Sequence, residues 1–296
     1  MEGLKMTDEV SDSGADDVPS WYQEIFPAGS RNGFYQKFKS HAVMCVERDP
    51  DVLVVSFDNL AEAGNKDMKR EAWAGKFLSD MGVSHLGVFS QGPTWFRDPS
   101  LINYLTQLRD QGFFRRFSRV IFCGTSMGGF GALAFASLSP GAVVIAFSPQ
   151  SSLGAELVPW ETRFRKGKSQ DWSLPHSDGA NEIEQASKVF VVYDPFEKLD
   201  CAHIDRLQRG HVIRLVAPGL GHKSALVLRR MQRLKAVMKS AIEGDLTPLS
   251  FAQLIRNRKD IYLYKVNMIS HLNARNRQTL EPRFTDAFRA RRKKAT

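Results

Sequence analysis

Along the chain, short β-rich apolar runs take turns with segments whose apolar positions recur every three to four residues, a rhythm that predicts strands and helices in alternation. Residues 41–48, 52–57, 84–90, 119–123, 142–147, 188–193 and 211–216 read as strands, and 69–81, 99–111, 199–207 and 223–242 as helices. Such alternation argues for an α/β fold with a mostly parallel central sheet covered by helices on both faces. Asp49-Pro50-Asp51 favours a turn, so the first two strands read as a hairpin. The aromatic-rich stretch 21–39 reads as short helices on the sheet edge, and 251–267 and 268–277 as further helices.

Two stretches depart from the rhythm. Residues 149–186 carry Trp160, Phe164, Trp172 and His176 among polar positions, too long for a plain loop and suited to a small cap. Gly244-Asp245-Leu246-Thr247-Pro248 breaks the helix before it, with Asp245 or Thr247 able to cap the next helix. The expected organisation is a disordered acidic tail at 1–19, a sheet domain at 20–244 with the cap at 149–186, and a basic helical appendage at 245–296. On this division a chain ending at Gly244 keeps its fold.

Composition changes that picture little. Of 296 residues, 43% are hydrophobic and 25% charged, ordinary values for a globular protein. No apolar run approaches the ~20 residues of a membrane span, and the acidic N-terminus is unlike a secretory signal, so a cytoplasmic location is expected. Cys45, Cys123 and Cys201 are scattered, without zinc or disulfide spacing, and the histidines form no ligand cluster, so no metal and no cofactor is expected. Charge is uneven. The net +9 arises although Glu2, Asp8, Glu9, Asp12, Asp16 and Asp17 make the start acidic, because 18 Lys and Arg face 5 acids from Lys223 onward. That end could attract an acidic polymer or an anionic membrane face; a plain solvated helical surface is the simpler reading.

The candidate chemistry sits in Val120-Ile-Phe-Cys-Gly-Thr-Ser-Met-Gly-Gly-Phe-Gly-Ala-Leu133. A serine turned sharply between a buried strand and a helix leaves no room for neighbouring side chains, and Gly124 and Gly128 supply positions without a Cβ. Ser126 Oγ would stand exposed, and the Met127 amide at the helix start could donate to a developing oxyanion. A phosphate-binding loop would need Lys where Phe130 stands. The dinucleotide pattern from Gly129 to Ala134 lies inside the expected helix, with no acid to hold a ribose before Glu156.

This G-x-S-x-G, in its strand-turn-helix setting, resembles the nucleophile elbow of the α/β-hydrolase superfamily. The resemblance implies the order Ser, acid, His, with acid and His each just past a strand. Asp194 follows 188–193 and His222 follows 211–216. It implies Ser126 as nucleophile, His222 as general base and Asp194 as the acid that orients it, with Glu197 and Asp200 close enough to substitute. The second oxyanion donor is expected after the strand ending at Phe57, at the amides of Asn59 or Leu60, although Asp58-Asn59-Leu60-Ala61 stands where esterases carry H-G. Trp95 and Phe96 are expected to wall the substrate, with Arg97 as an anion contact and Trp160 contributing from the cap. The resulting expectation is a serine hydrolase acting on a small ester or thioester. A hydrolase-like binding or accessory protein with a basic surface is the alternative.

Overall fold

The computed structural model describes residues 18–65, 67 and 69–293, so the expected acidic tail lies almost wholly outside the described residues. Among the described residues, eight strands form one sheet: β1 (Gly33–Lys37), β2 (His41–Val46), β3 (Val52–Phe57), β4 (Ser84–Ser90), β5 (Arg119–Thr125), β6 (Val143–Phe147), β7 (Lys188–Tyr193) and β8 (Val212–Val216). Their order is β1-β2-β4-β3-β5-β6-β7-β8. Strands β3 to β8 run parallel, while β1 and β2 are antiparallel additions at one edge. The helices are α1 (Ser20–Glu24), α2 (Gly75–Asp80), α3 (Pro99–Asp110), α4 (Met127–Ala134), α5 (Arg165–Lys168), α6 (Gly179–Glu182), α7 (Lys198–Asp205), α8 (Ser224–Arg230), α9 (Leu234–Glu243), α10 (Pro248–Leu254), α11 (Tyr262–Ala274) and α12 (Leu280–Lys293).

Period-2 alternation divides the apolar side chains between two cores. Val120 and Phe122 of β5, with Val144 and Ala146 of β6, face α3 and α4. Ile121 and Cys123, with Val143 and Ile145, face α2, α8 and α9. Both faces are covered, which is why these strands are apolar throughout.

Four sequence expectations need correction. Strands β2 and β3 form no hairpin, because β4, buried along its whole length, lies between them and bonds to both. Within 21–39 only Ser20–Glu24 is helical. Phe34 packs against Tyr104 and Phe113 on one side of β1 while Tyr35 stacks on Trp21 on the other, the two-sided placement of a strand. In 69–81 the helix begins only at Gly75, after Ala74 in the left-handed region. The single helix expected at 223–242 is two: Gln232 takes φ 57°, and the Arg233 amide returns to the Leu228 carbonyl to close α8.

Gly244 ends α9 at φ 93°, and Thr247 opens α10 with a capping box to Ser250, as the breaker motif suggested. The core nonetheless continues across that break. Leu246, Phe251 and Ile255 are buried among Val237, Ala241 and the strands of the second core. The turn at 255–261 ends α10, and α11 runs unbroken through 267–268. Among the described residues no helix is long and apolar enough to cross a membrane.

Candidate active site

The turn after β5 has the steric character its sequence implied. Ser126 takes φ 52° and ψ −114°, a sparsely populated conformation costing on the order of 1–3 kcal/mol. A Cβ on Gly124 would lie 2.2 Å from the Gly128 carbonyl oxygen, and one on Gly128 would lie 2.4 Å from that of Phe57. The two glycines thus let α4 settle directly on β5 and on the end of β3. Ser126 is locked on both sides, its amide donating to the Phe147 carbonyl and its carbonyl accepting from Phe130.

Ser126 Oγ lies 2.9 Å from His222 Nε2, and His222 Nδ1 lies 2.8 Å from Asp200 Oδ2. Serine and histidine therefore meet as the sequence suggested, but Asp194 is not the acid at the imidazole. Its Oδ2 accepts from the Gly221 amide at 2.6 Å and its Oδ1 from the Phe196 amide at 3.0 Å. An acid at the very end of β7 is spent on the backbone of the histidine loop. The next turn of chain brings a second carboxylate to the ring from the start of α7. Asp200 is fully buried, and so is His203 one helical turn later. Asp200 is one of the two acids that the sequence placed close enough to substitute for Asp194. Glu197, before α7, has its pKa raised by burial and by its neighbours Asp200 and Asp194.

Met127 heads α4, and as a first-turn amide it has no acceptor inside the helix. Asn59 reaches the cavity beside Ser126, but its amide faces Glu62 Oε2 at 3.4 Å while its side chain accepts from the Ala61 amide. The loop is held from below by Asp58, which takes Arg70 and the Ser90 amide. Another donor, unforeseen from sequence, stands beside the serine: Gln150 Nε2 is 3.5 Å from Ser126 Oγ. Trp95 Nε1 donates to Gln150 Oε1 at 3.1 Å, which fixes the orientation of that amide.

Trp95 and Phe96 are therefore not a substrate wall. Both are buried, Phe96 against Phe57 and over Gly131, and Trp95 reaches the site indirectly, through Gln150 and by packing on Phe164, 5.2 Å between ring centroids. Arg97 is likewise no rim contact. Its guanidinium donates to the carbonyls of Leu174, Pro175 and His176, fastening 149–186 to the body of the fold, and burial lowers its pKa to about 10. Trp160 sits edge-on to His203, 4.7 Å between ring centroids, and does not line the cavity. The cavity beside Ser126 has a volume of ≈ 480 Å³. Its apolar walls are Leu60, Trp73, Phe164 and Leu226, with Lys223 and Arg229 as cations.

The loop carrying His222 is braced by α11. Asn267 Nδ2 donates to the Gly219 carbonyl at 3.1 Å, and Tyr264 packs over Gly219. Just before α11, Arg258 donates to the Pro218 carbonyl.

No family model and no curated protein matches this sequence. The structure, however, is similar to solved ones. The capsule O-acetyltransferase of Neisseria meningitidis serogroup A is 12% identical at a TM-score of 0.48, over 71% of this chain and 93% of that one. Carboxyl esterase 2 of Tuber melanosporum is 12% identical at 0.47, over 81% and 92%. In the glycosylation-associated Gap123 complex of Streptococcus agalactiae, one chain is 14% identical at 0.50, over 73% of this chain and 47% of that one. At these identities the likeness concerns the fold alone, and fold does not fix reaction.

Proposed function

We propose that the protein is a serine hydrolase or acyl-transfer enzyme that takes an ester or thioester through a covalent acyl-enzyme. The observation that carries this reading is the continuous line of contacts from Ser126 Oγ through the His222 ring to Asp200, opening on a cavity. Ser126 Oγ attacks the carbonyl carbon as His222 Nε2 takes its proton, and the Met127 amide at the positive end of α4 faces the developing oxyanion. Collapse breaks the bond to the leaving oxygen or sulfur, which departs with the proton from His222. A water or acceptor alcohol then attacks the acyl carbonyl while His222 takes its proton; collapse breaks the bond from the acyl carbon to Ser126 Oγ, and His222 returns the proton to that oxygen. Asp200 holds the ring and stabilises the imidazolium. The apolar walls suit the acyl group, and Lys223 and Arg229 suit a polar or anionic portion of the substrate.

The test is hydrolysis of a short activated ester by a set of variants. Ser126→Ala and His222→Ala are expected to lose nearly all activity. Asp200→Asn keeps the shape of the side chain but not its charge and is expected to lose on the order of 10²–10⁴-fold in kcat. Asp194→Asn retains an oxygen to accept from Gly221 and should stay within about tenfold of the parent. Full activity in Ser126→Ala, or a greater loss in Asp194→Asn than in Asp200→Asn, contradicts the assignment.

A further inference from the structure

The cap contributes two charged side chains that the proposed chemistry does not itself call on. The carboxylate of Asp200 is divided: Oδ2 faces His222, while Oδ1 accepts from Arg163 Nη1 at 2.8 Å. The rest of the guanidinium is occupied by Glu161, with Nε 3.1 Å from both carboxylate oxygens and Nη2 2.8 Å from Oε2. Arg163 is therefore a rigid fork between two fully buried acids. Glu161 is secured in turn by His203 Nε2 at 3.0 Å, and His203 Nδ1 accepts from the Ser151 amide at 3.1 Å. Because Nδ1 accepts, the proton of the neutral ring lies on Nε2 and points at Glu161. Burial lowers the pKa of His203, favouring that neutral form. Burial works to raise Glu161, yet the hydrogen bonds from His203 and Arg163 outweigh it and hold the pKa at about 2.

A buried carboxylate with one partner is costly and free to rotate, whereas one pinned at Oδ1 must aim Oδ2 at its second partner. We infer that Arg163, clamped by Glu161, is the positioning residue for Asp200: the pair fixes the carboxylate against His222 and sets, by its charge, the pH range in which His222 acts as a base. The inference rests on the reading of Ser126 as nucleophile. The charges around the imidazole come from several elements: Asp200 on α7, Glu197 before it, Asp194 after β7, Arg163 and Glu161 from the segment 149–186, Lys223 beside the ring in sequence, and Arg229 of α8 and Glu62 across the shared cavity. His271 of α11 stacks on Phe196.

The experiment measures kcat/KM against pH for a short activated ester with the full chain, alongside thermal melting and fluorophosphonate labelling. Arg163→Met removes a cation, so the imidazole binds its proton more readily. The acid limb should then move to higher pH by roughly half a unit to one unit. Glu161→Gln removes an anion farther away and should move the limb the other way by less. Arg163→Lys keeps the charge without the fork; it should restore the position of the limb with a lower kcat. A packing defect lowers activity at every pH alike and does not give opposite displacements at neighbouring residues. An unmoved limb in an active Arg163→Met, or the same direction of movement in both charge variants, overturns the inference and leaves the proposed function standing. Should Arg163→Met fail to fold, an unmoved limb in Glu161→Gln overturns it equally. A parent protein that neither labels nor hydrolyses removes the proposed function, and this inference with it.

Discussion

At Ser126 the chain holds a non-glycine residue at φ 52° between two positions that admit no side chain. Strain of that kind persists only where the surroundings leave the backbone no alternative, and here the strand, the helix and the end of β3 close on it together. Gly128→Ala tests this directly, since the added methyl would lie 2.4 Å from the Phe57 carbonyl oxygen and 2.8 Å from that of Asp58. We expect a loss of about 1–3 kcal/mol in denaturant unfolding, accompanied by loss of activity. An alanine variant as stable as the parent would show that α4 is not wedged there. The same steric argument made the serine and its glycines legible in sequence, because crowding at a sharp turn is a local property. The acid was not legible in that way: Asp194 occupies the position a strand-end rule selects, and only the three-dimensional path of the loop shows that its oxygens are taken by the Gly221 and Phe196 amides. Trp95 and Phe96 looked like a rim because aromatic residues follow a strand; both have positive φ, and the turn folds their rings inward.

Among the elements, the strands were legible and their neighbours were not. Apolar runs declare burial, but nothing in the runs 41–48 and 52–57 says that a later strand will pass between them. A comparable blindness separates 245–296 from the sheet domain in sequence, since a breaker and a capping box look alike at a domain boundary and at a corner within one core. Phe251 is 1% exposed and packs with residues of α9 and the sheet. Phe251→Ala should therefore cost about 3–5 kcal/mol. A chain ending at Gly244 should fail to melt cooperatively, because it uncovers Val237 and Ala241 and removes the brace on the histidine loop. A truncated protein that melts cooperatively near the parent temperature would restore the two-part division.

For the molecule as a whole, the site is assembled from all parts of the chain. Ser126 follows β5, the loop carrying His222 is gripped by Asp194 and by α11, and Asp200 is tied through Arg163 to the segment 149–186. That segment is bound down by Arg97, whose charge persists at neutral pH despite burial. Part of the basic excess of the C-terminal part is already engaged: Arg258 donates to the Pro218 and Ile255 carbonyls, and the exposed Arg291 pairs with Asp260. These contacts argue for a scaffold built to hold a serine, an imidazole and a carboxylate in line, as against one that merely inherits their positions. A fluorophosphonate separates the two most directly, since it bonds to a serine only where a base and oxyanion donors act together. The account predicts stoichiometric labelling of the parent at Ser126, abolished in His222→Ala and strongly slowed in Asp200→Asn. A folded protein whose Ser126 remains unlabelled, or labels equally without His222, would contradict it.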